Sequence, residues 1–143
     1  MSKKGNYPKS REEREKDPWM MYLVVNTSLG MSPGKVAAQV GHAVGMMYEE
    51  YASLVLKLGN VNKNVNWEGF YKFNSWKKDH HSKVVLAANE EEWKQLLEEE
   101  KCFVVRDAGF TEIASGSETV IGLWPRQKSK CSDLLRSLKL LKG

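Results

Sequence analysis

Lys35, Gln39 and His42 recur at i, i+4 and i+7, so a helix through them carries all three on one face. A second candidate, Asp107, opens the run Asp107-Ala108-Gly109-Phe110-Thr111. A lysine and a carboxylate in contact hold each other charged. Beside a bound carbonyl, such a pair supplies a water-holding base and an electrophilic cation. Each half also has a plainer explanation. The stripe could be the wet side of an amphipathic helix, Lys35 a tolerated surface residue, and Asp-x-Gly ordinary turn chemistry.

Other chemistries fit less well. Gly30-Met31-Ser32-Pro33-Gly34-Lys35 stands between an expected strand and an expected helix, as a phosphate-binding loop does. That loop needs four residues between its glycines and Ser or Thr after the lysine. Here three intervene and Val36 follows, which disfavours an NTPase. What survives is a lysine at a helix N-terminus, where backbone N–H groups and the dipole favour an anion. His80 and His81 have no partner at metal-ligand spacing, which disfavours zinc. No Gly-x-Ser-x-Gly elbow is present, which disfavours a serine hydrolase. Cys102 and Cys131 form no CxxC pair, and a reducing, cytoplasmic setting is expected. Cys102 reads as core, and Cys131 as lying on or near a helix surface.

The elements that must position these residues follow from patterning. With 143 residues, 41% hydrophobic and 28% charged, the chain suits one globular domain. Residues 1–18 read as a charged, disordered tail and 19–143 as a single domain. No apolar run approaches the roughly 20 residues of a membrane span, and the tail offers neither a signal peptide nor an anchor. Strands are expected over Met20–Asn26, Lys83–Ala88, Cys102–Arg106 and Thr119–Trp124. The long helix should run from Gly34 to about Leu58, with Gly59-Asn60 as its stop. A short helix is expected near Trp67–Lys77, an acidic one over Glu90–Glu100 capped by Asn89, and a last one over Ser129–Leu138. This order implies an α/β fold: a three-layer α/β/α sandwich with a four-stranded mixed sheet. Net charge is +4, but the segment Asn89–Lys101 contributes −4, leaving +8 on the remainder. A basic body is compatible with a polyanion such as RNA.

Taken together, these residues resemble a known family. Tyr22-Leu23-Val24-Val25, followed by Met31-Ser32-Pro33-Gly34-Lys35-Val36-Ala37-Ala38-Gln39-Val40-Gly41-His42-Ala43, is similar to the opening of type 2 peptidyl-tRNA hydrolases, the archaeal and eukaryotic class. Asp107-Ala108-Gly109-Phe110-Thr111-Glu112-Ile113, Gly116 to Gly122 and the ending Leu138-Lys139-Leu140-Leu141 match its later blocks. The resemblance implies hydrolysis of the ester joining a peptide to tRNA, with peptidyl-tRNA as the substrate and no metal or organic cofactor. It implies Lys35, Asp107 and Thr111 as catalytic residues in an order of roles left open, and Gln39, His42, Gly34 and Gly109 as substrate-binding residues. Asn26 stands where arginine is common in the family, Phe110 where a basic or polar residue is usual, and Glu112 where glutamine is common. The aromatic connector from Trp67 to Trp76 could offset that lost charge by stacking on bases, or could be core. The alternative of another class is a non-catalytic tRNA- or protein-binding module on the same fold. Whether the chain is a monomer or a homodimer is left open.

Overall fold

In the computed structural model, residues 16–58, 66–110 and 112–142 are described. The centre is β1, Trp19–Asn26, whose interior is buried on both faces. It pairs in parallel with β2, Lys83–Ala88, and antiparallel with β4, Glu118–Gly122. Strand β3, Phe103–Arg106, lies beyond β4, so the sheet order begins β3-β4-β1-β2. Residues of β1 alternate between two apolar clusters, as the period-2 geometry of a strand requires. Met21, Leu23 and Val25 join Ala43, Met47, Phe73 and Trp76. Tyr22 and Val24 join Trp93, Leu96, Ile121 and Leu135.

The sheet is mixed as expected but has six strands among the described residues rather than four. The two additions are β5, Arg126–Gln127, on Trp19 and Met20, and β6, Lys139–Leu140, on Leu86 and Ala87. Two-residue strands carry no hydrophobic period, so the pattern does not mark them. The long helix, α1, covers Pro33–Lys57, with Ser32 as N-cap accepting from the Lys35 N–H and proline in its first turn. Its expected stop, Gly59-Asn60, lies outside the described residues. Helix α2, Trp67–Lys78, buries Phe73 and Trp76, so two of the five aromatics of the connector are core. His80 and His81 follow it with φ of +70° and +57°, turning the chain into β2, and the His81 ring packs edge-on against Trp76.

Helix α3, Glu90–Glu99, starts on a full capping box between Asn89 and Glu92. The last helix, α4, is only Asp133–Ser137, shorter than its pattern suggests. Ser132 caps it there, while the Ser129 N–H and hydroxyl are both taken by the Asp17 carboxylate. Cys131 departs from its expected place on or near a helix surface and is buried beside Tyr22 and Leu135. Cys102 is only half-buried against the core cluster, and burial together with Glu100 and Glu118 pushes its thiol pKa up.

Candidate active site

Because β3 is antiparallel to β4 and β4 to β1, strands β1, β2 and β3 all end at the same edge of the sheet. The chain leaves β1 there to start α1, and leaves β3 there to start the loop carrying Asp107. Such carboxyl ends are where open α/β sheets hold ligands. The loop is stitched at its base: the Asp107 N–H donates to Ser117 O at 2.9 Å, and the Gly116 N–H donates to Asp107 O at 2.7 Å. Asp107 therefore projects from a tethered corner rather than a free loop.

Lys35 Nζ meets Asp107 Oδ1 as an ion pair, the two side chains being 9% and 4% exposed. Gln39 Nε2 approaches the same oxygen at 3.4 Å, and the Gly109 N–H donates to Oδ2 at 2.7 Å. The Thr119 hydroxyl, fully buried, donates to Gln39 Oε1 at 2.7 Å. A reversed amide would set its oxygen against the carboxylate, so Asp107 selects the observed orientation and the Thr119 hydroxyl, which also reaches Val105 O at 3.3 Å, holds it. Thr119 was not legible in the sequence. A threonine entering a strand is ordinary, and only its spatial partner singles it out.

Thr119→Val keeps the shape and removes the donor, leaving Gln39 Oε1 buried without its partner. We expect a stability loss of about 1–3 kcal/mol by urea unfolding. Turnover should also fall by about tenfold, because Gln39 can then rotate away from Asp107.

The remaining sequence candidates divide. Gln39 is buried at 8%, so the stripe of Lys35, Gln39 and His42 is not a uniformly wet face; its first two members turn onto the β3–β4 corner. His42 stays exposed on α1, outside that bonded group, and Gly34 is exposed at the helix start. Thr111 lies outside the described residues. The three departures acquire local roles. Asn26 Nδ2 donates to Glu118 O at 2.9 Å, and its Oδ1 caps the 3-10 turn Thr27–Leu29, tying the end of β1 to the start of β4. Glu112 accepts from both the Ser32 N–H and the Ser32 hydroxyl, each at 2.8 Å, which holds its carboxyl below the usual range. A carboxylate of the chain itself thus sits at the start of α1, clasping the Asp107 loop to the helix that carries Lys35. Phe110, between these anchors, is 90% exposed.

Among the described residues no three His, Cys, Asp or Glu side chains gather as metal ligands would. Against known proteins, the family model for peptidyl-tRNA hydrolase PTH2 matches residues 19–141. The chain belongs to the peptidyl-tRNA hydrolase PTH2 family. A protein of Schizosaccharomyces pombe named probable peptidyl-tRNA hydrolase 2 is 35% identical over 84% of this chain and 55% of its own length. The chain thus spans just over half of that relative. Peptidyl-tRNA hydrolases of Methanococcus maripaludis and Methanocaldococcus jannaschii are 32% and 30% identical, over 83% and 85% of this chain and 96% and 98% of theirs.

In this PTH2 chain the Asp107 carboxyl is held below the ordinary carboxylate range, first by the Lys35 hydrogen bond and then by the Gly109 N–H, with burial opposing both. Depression of the pKa makes Asp107 a weak proton acceptor at neutral pH but a permanent anion. A carboxylate offers about four lone-pair positions. Among the described residues Lys35, Gln39 and Gly109 use three, and one direction on Oδ2 is counted for the O–H of a water.

Proposed function

We propose that this chain hydrolyses the ester between peptide and tRNA in peptidyl-tRNA, returning tRNA from stalled translation, with Lys35 and Asp107 at the reaction centre. The observation that carries the assignment is the ion pair joining the start of α1 to the end of β3, backed by Gln39 and Thr119. Asp107 holds the attacking water through Oδ2 and keeps Lys35 oriented. Lys35 faces the carbonyl and stabilises the oxyanion of the tetrahedral intermediate, a contribution of the order of 3 kcal/mol for one well-placed donor. Thr111, four residues after Asp107, holds the water or donates to the carbonyl. Water adds to the acyl carbon, the bond to the ribose oxygen breaks, and the products are a peptide carboxylate and a tRNA with its terminal hydroxyl restored. Gly34 and His42 line the approach along α1.

The same reading takes residues 19–143 as one domain preceded by a tail over 1–18, working in the cytoplasm. No helix among the described residues is long and apolar enough to cross a membrane. A three-layer α/β/α arrangement is supported by the alternation of β1 side chains between a cluster with α1 and α2 and a cluster with α3 and α4.

The test is release of N-acetyl-aminoacyl acid from N-acetyl-aminoacyl-tRNA, with free aminoacyl-tRNA as control. Binding without release selects the non-catalytic module instead. The pH profile adds a sign. The folded pKa of Asp107 is lowered, so its contribution to stability is present above its unfolded value of about 3.9 and disappears as pH falls through the lower folded one. Release should therefore stay level as pH falls from 7 to about 4 and drop only below that. A fall centred near neutrality would remove Asp107 from the role given to it.

A further inference from the structure

Phe110 is the most solvent-bared large apolar side chain among the described residues, at 90% exposure, yet its loop is tied down on both sides. Before it, the Gly109 N–H binds Asp107 Oδ2; after it, Glu112 clasps Ser32, and the Ser115 hydroxyl donates to Ala108 O at 3.3 Å. A tethered corner that holds a phenyl ring in water has not turned that ring inward. Three residues of chain span at most about 10 Å, so the Phe110 backbone stands within that reach of the Asp107 backbone.

In a peptidyl-tRNA the reacting ester is borne by the ribose of the last nucleotide. With the carbonyl at Lys35, the base on that same sugar must lie one ribose away. Single-stranded RNA ends are recognised by stacking unstacked bases on exposed aromatic rings. The other exposed aromatics among the described residues, Tyr48 at 38%, Trp67 at 59% and Tyr71 at 62%, each pack against another ring, Tyr48 on Phe73 and Trp67 on Phe70. Tyr71 packs on Trp19, the first residue of β1, and the eight residues of that strand put roughly 23 Å between it and the reacting edge.

We propose that Phe110 is a substrate-binding residue whose ring stacks on the terminal nucleobase of the tRNA while the ester lies at Lys35 and Asp107. The proposal rests on the hydrolase reading above and adds to it the contact that registers the RNA end. It also gives this chain an RNA contact that is not a cation. A stacked ring releases no counterion, so affinity lost with Phe110 should be lost equally at low and high salt.

The full chain and Phe110→Ala, Phe110→Leu and Phe110→Trp are compared on N-acetyl-aminoacyl-tRNA. Stacking requires KM to rise roughly 5- to 100-fold in the alanine and leucine variants alike, with kcat changed less, and to return to within about threefold in the tryptophan variant. An unchanged KM in Phe110→Ala overturns the proposal. So does a leucine variant that matches the wild type, because a ring is then unnecessary and the contact is an apolar one to the peptide. A second arm needs no turnover. A tRNA acceptor-end oligonucleotide with 2-aminopurine as its last base should lose fluorescence on binding the wild type and Phe110→Trp, and keep it with Phe110→Ala. Equal quenching by the wild type and Phe110→Ala overturns the proposal as well. If the wild type releases nothing, the hydrolase reading fails, and the fluorescence arm still decides Phe110.

Discussion

Asp107→Asn should lower kcat on peptidyl-tRNA by at least about 10²- to 10³-fold, and Lys35→Ala should do the same. The asparagine is isosteric, so the loss follows from hydrogen-bond accounting rather than from shape. Three donors converge on the carboxylate: Lys35 Nζ and Gln39 Nε2 on Oδ1, and the Gly109 N–H on Oδ2. An amide offers one oxygen. Facing Lys35, it turns its NH2 onto the Gly109 N–H; facing Gly109, it turns the NH2 onto Lys35 and Gln39. Either way donor meets donor, the water direction on Oδ2 is lost, and Lys35 loses the charge of Asp107 beside it. In Lys35→Ala the carboxylate survives but nothing is left to receive the oxyanion. Because the two groups act as one unit, the double variant should be no slower than the worse single by more than about threefold. Single-turnover release at saturating enzyme measures all three. Both apolar clusters lie outside the pair, so far-UV circular dichroism should be unchanged. Release within tenfold of wild type in both single variants would move the chemistry elsewhere.

Much of this geometry could be read before any coordinates, because the residues concerned obey local rules. The apolar run of β1, the start of α1, expected at Gly34 and found at Pro33, and the Asn89 cap of α3 are set by near neighbours, and each element begins within a residue or two of where its pattern places it. Pairing Lys35 with Asp107 required only that two strands end at the same edge. What stayed illegible is long-range. Gln39 looks like any polar residue on a helix until Thr119 and Asp107 close over it. Strands β5 and β6 exist because Trp19 and Leu86 have open ladder positions to offer, not because Arg126-Gln127 or Lys139-Leu140 favour extension. Glu112 looked like lost positive charge beside the site. In place it satisfies both donors of Ser32, an interaction across 80 residues that no periodicity encodes. Cys131 misled for the same reason, since β1 decides its burial rather than the helix that follows it.

Gly109→Ala should be the most damaging small substitution in the loop. Gly109 has φ of +83°, where a side chain costs about 1–3 kcal/mol. Space is lacking as well, since a Cβ there would stand 2.6 Å from Ser115 Cβ and 2.9 Å from Ser115 Cα, backbone that cannot simply swing aside. The corner must open, and its N–H then leaves Asp107 Oδ2. Two consequences follow together. Asp107 loses one of the donors that lower its pKa, so the acid limb of the pH profile moves upward, and the carboxylate loses the bond that aims it, so kcat falls by roughly 10²-fold. Gly116→Ala is the control. Its φ of +84° imposes the same backbone strain, but nothing stands within 4 Å of the added Cβ. Both variants should lose thermal stability, by about 2–4 °C for each kcal/mol. Only Gly109→Ala should shift the acid limb and lose most of its turnover. Equal kinetic losses in the two would mean that backbone strain, and not the aim of Asp107, sets the rate.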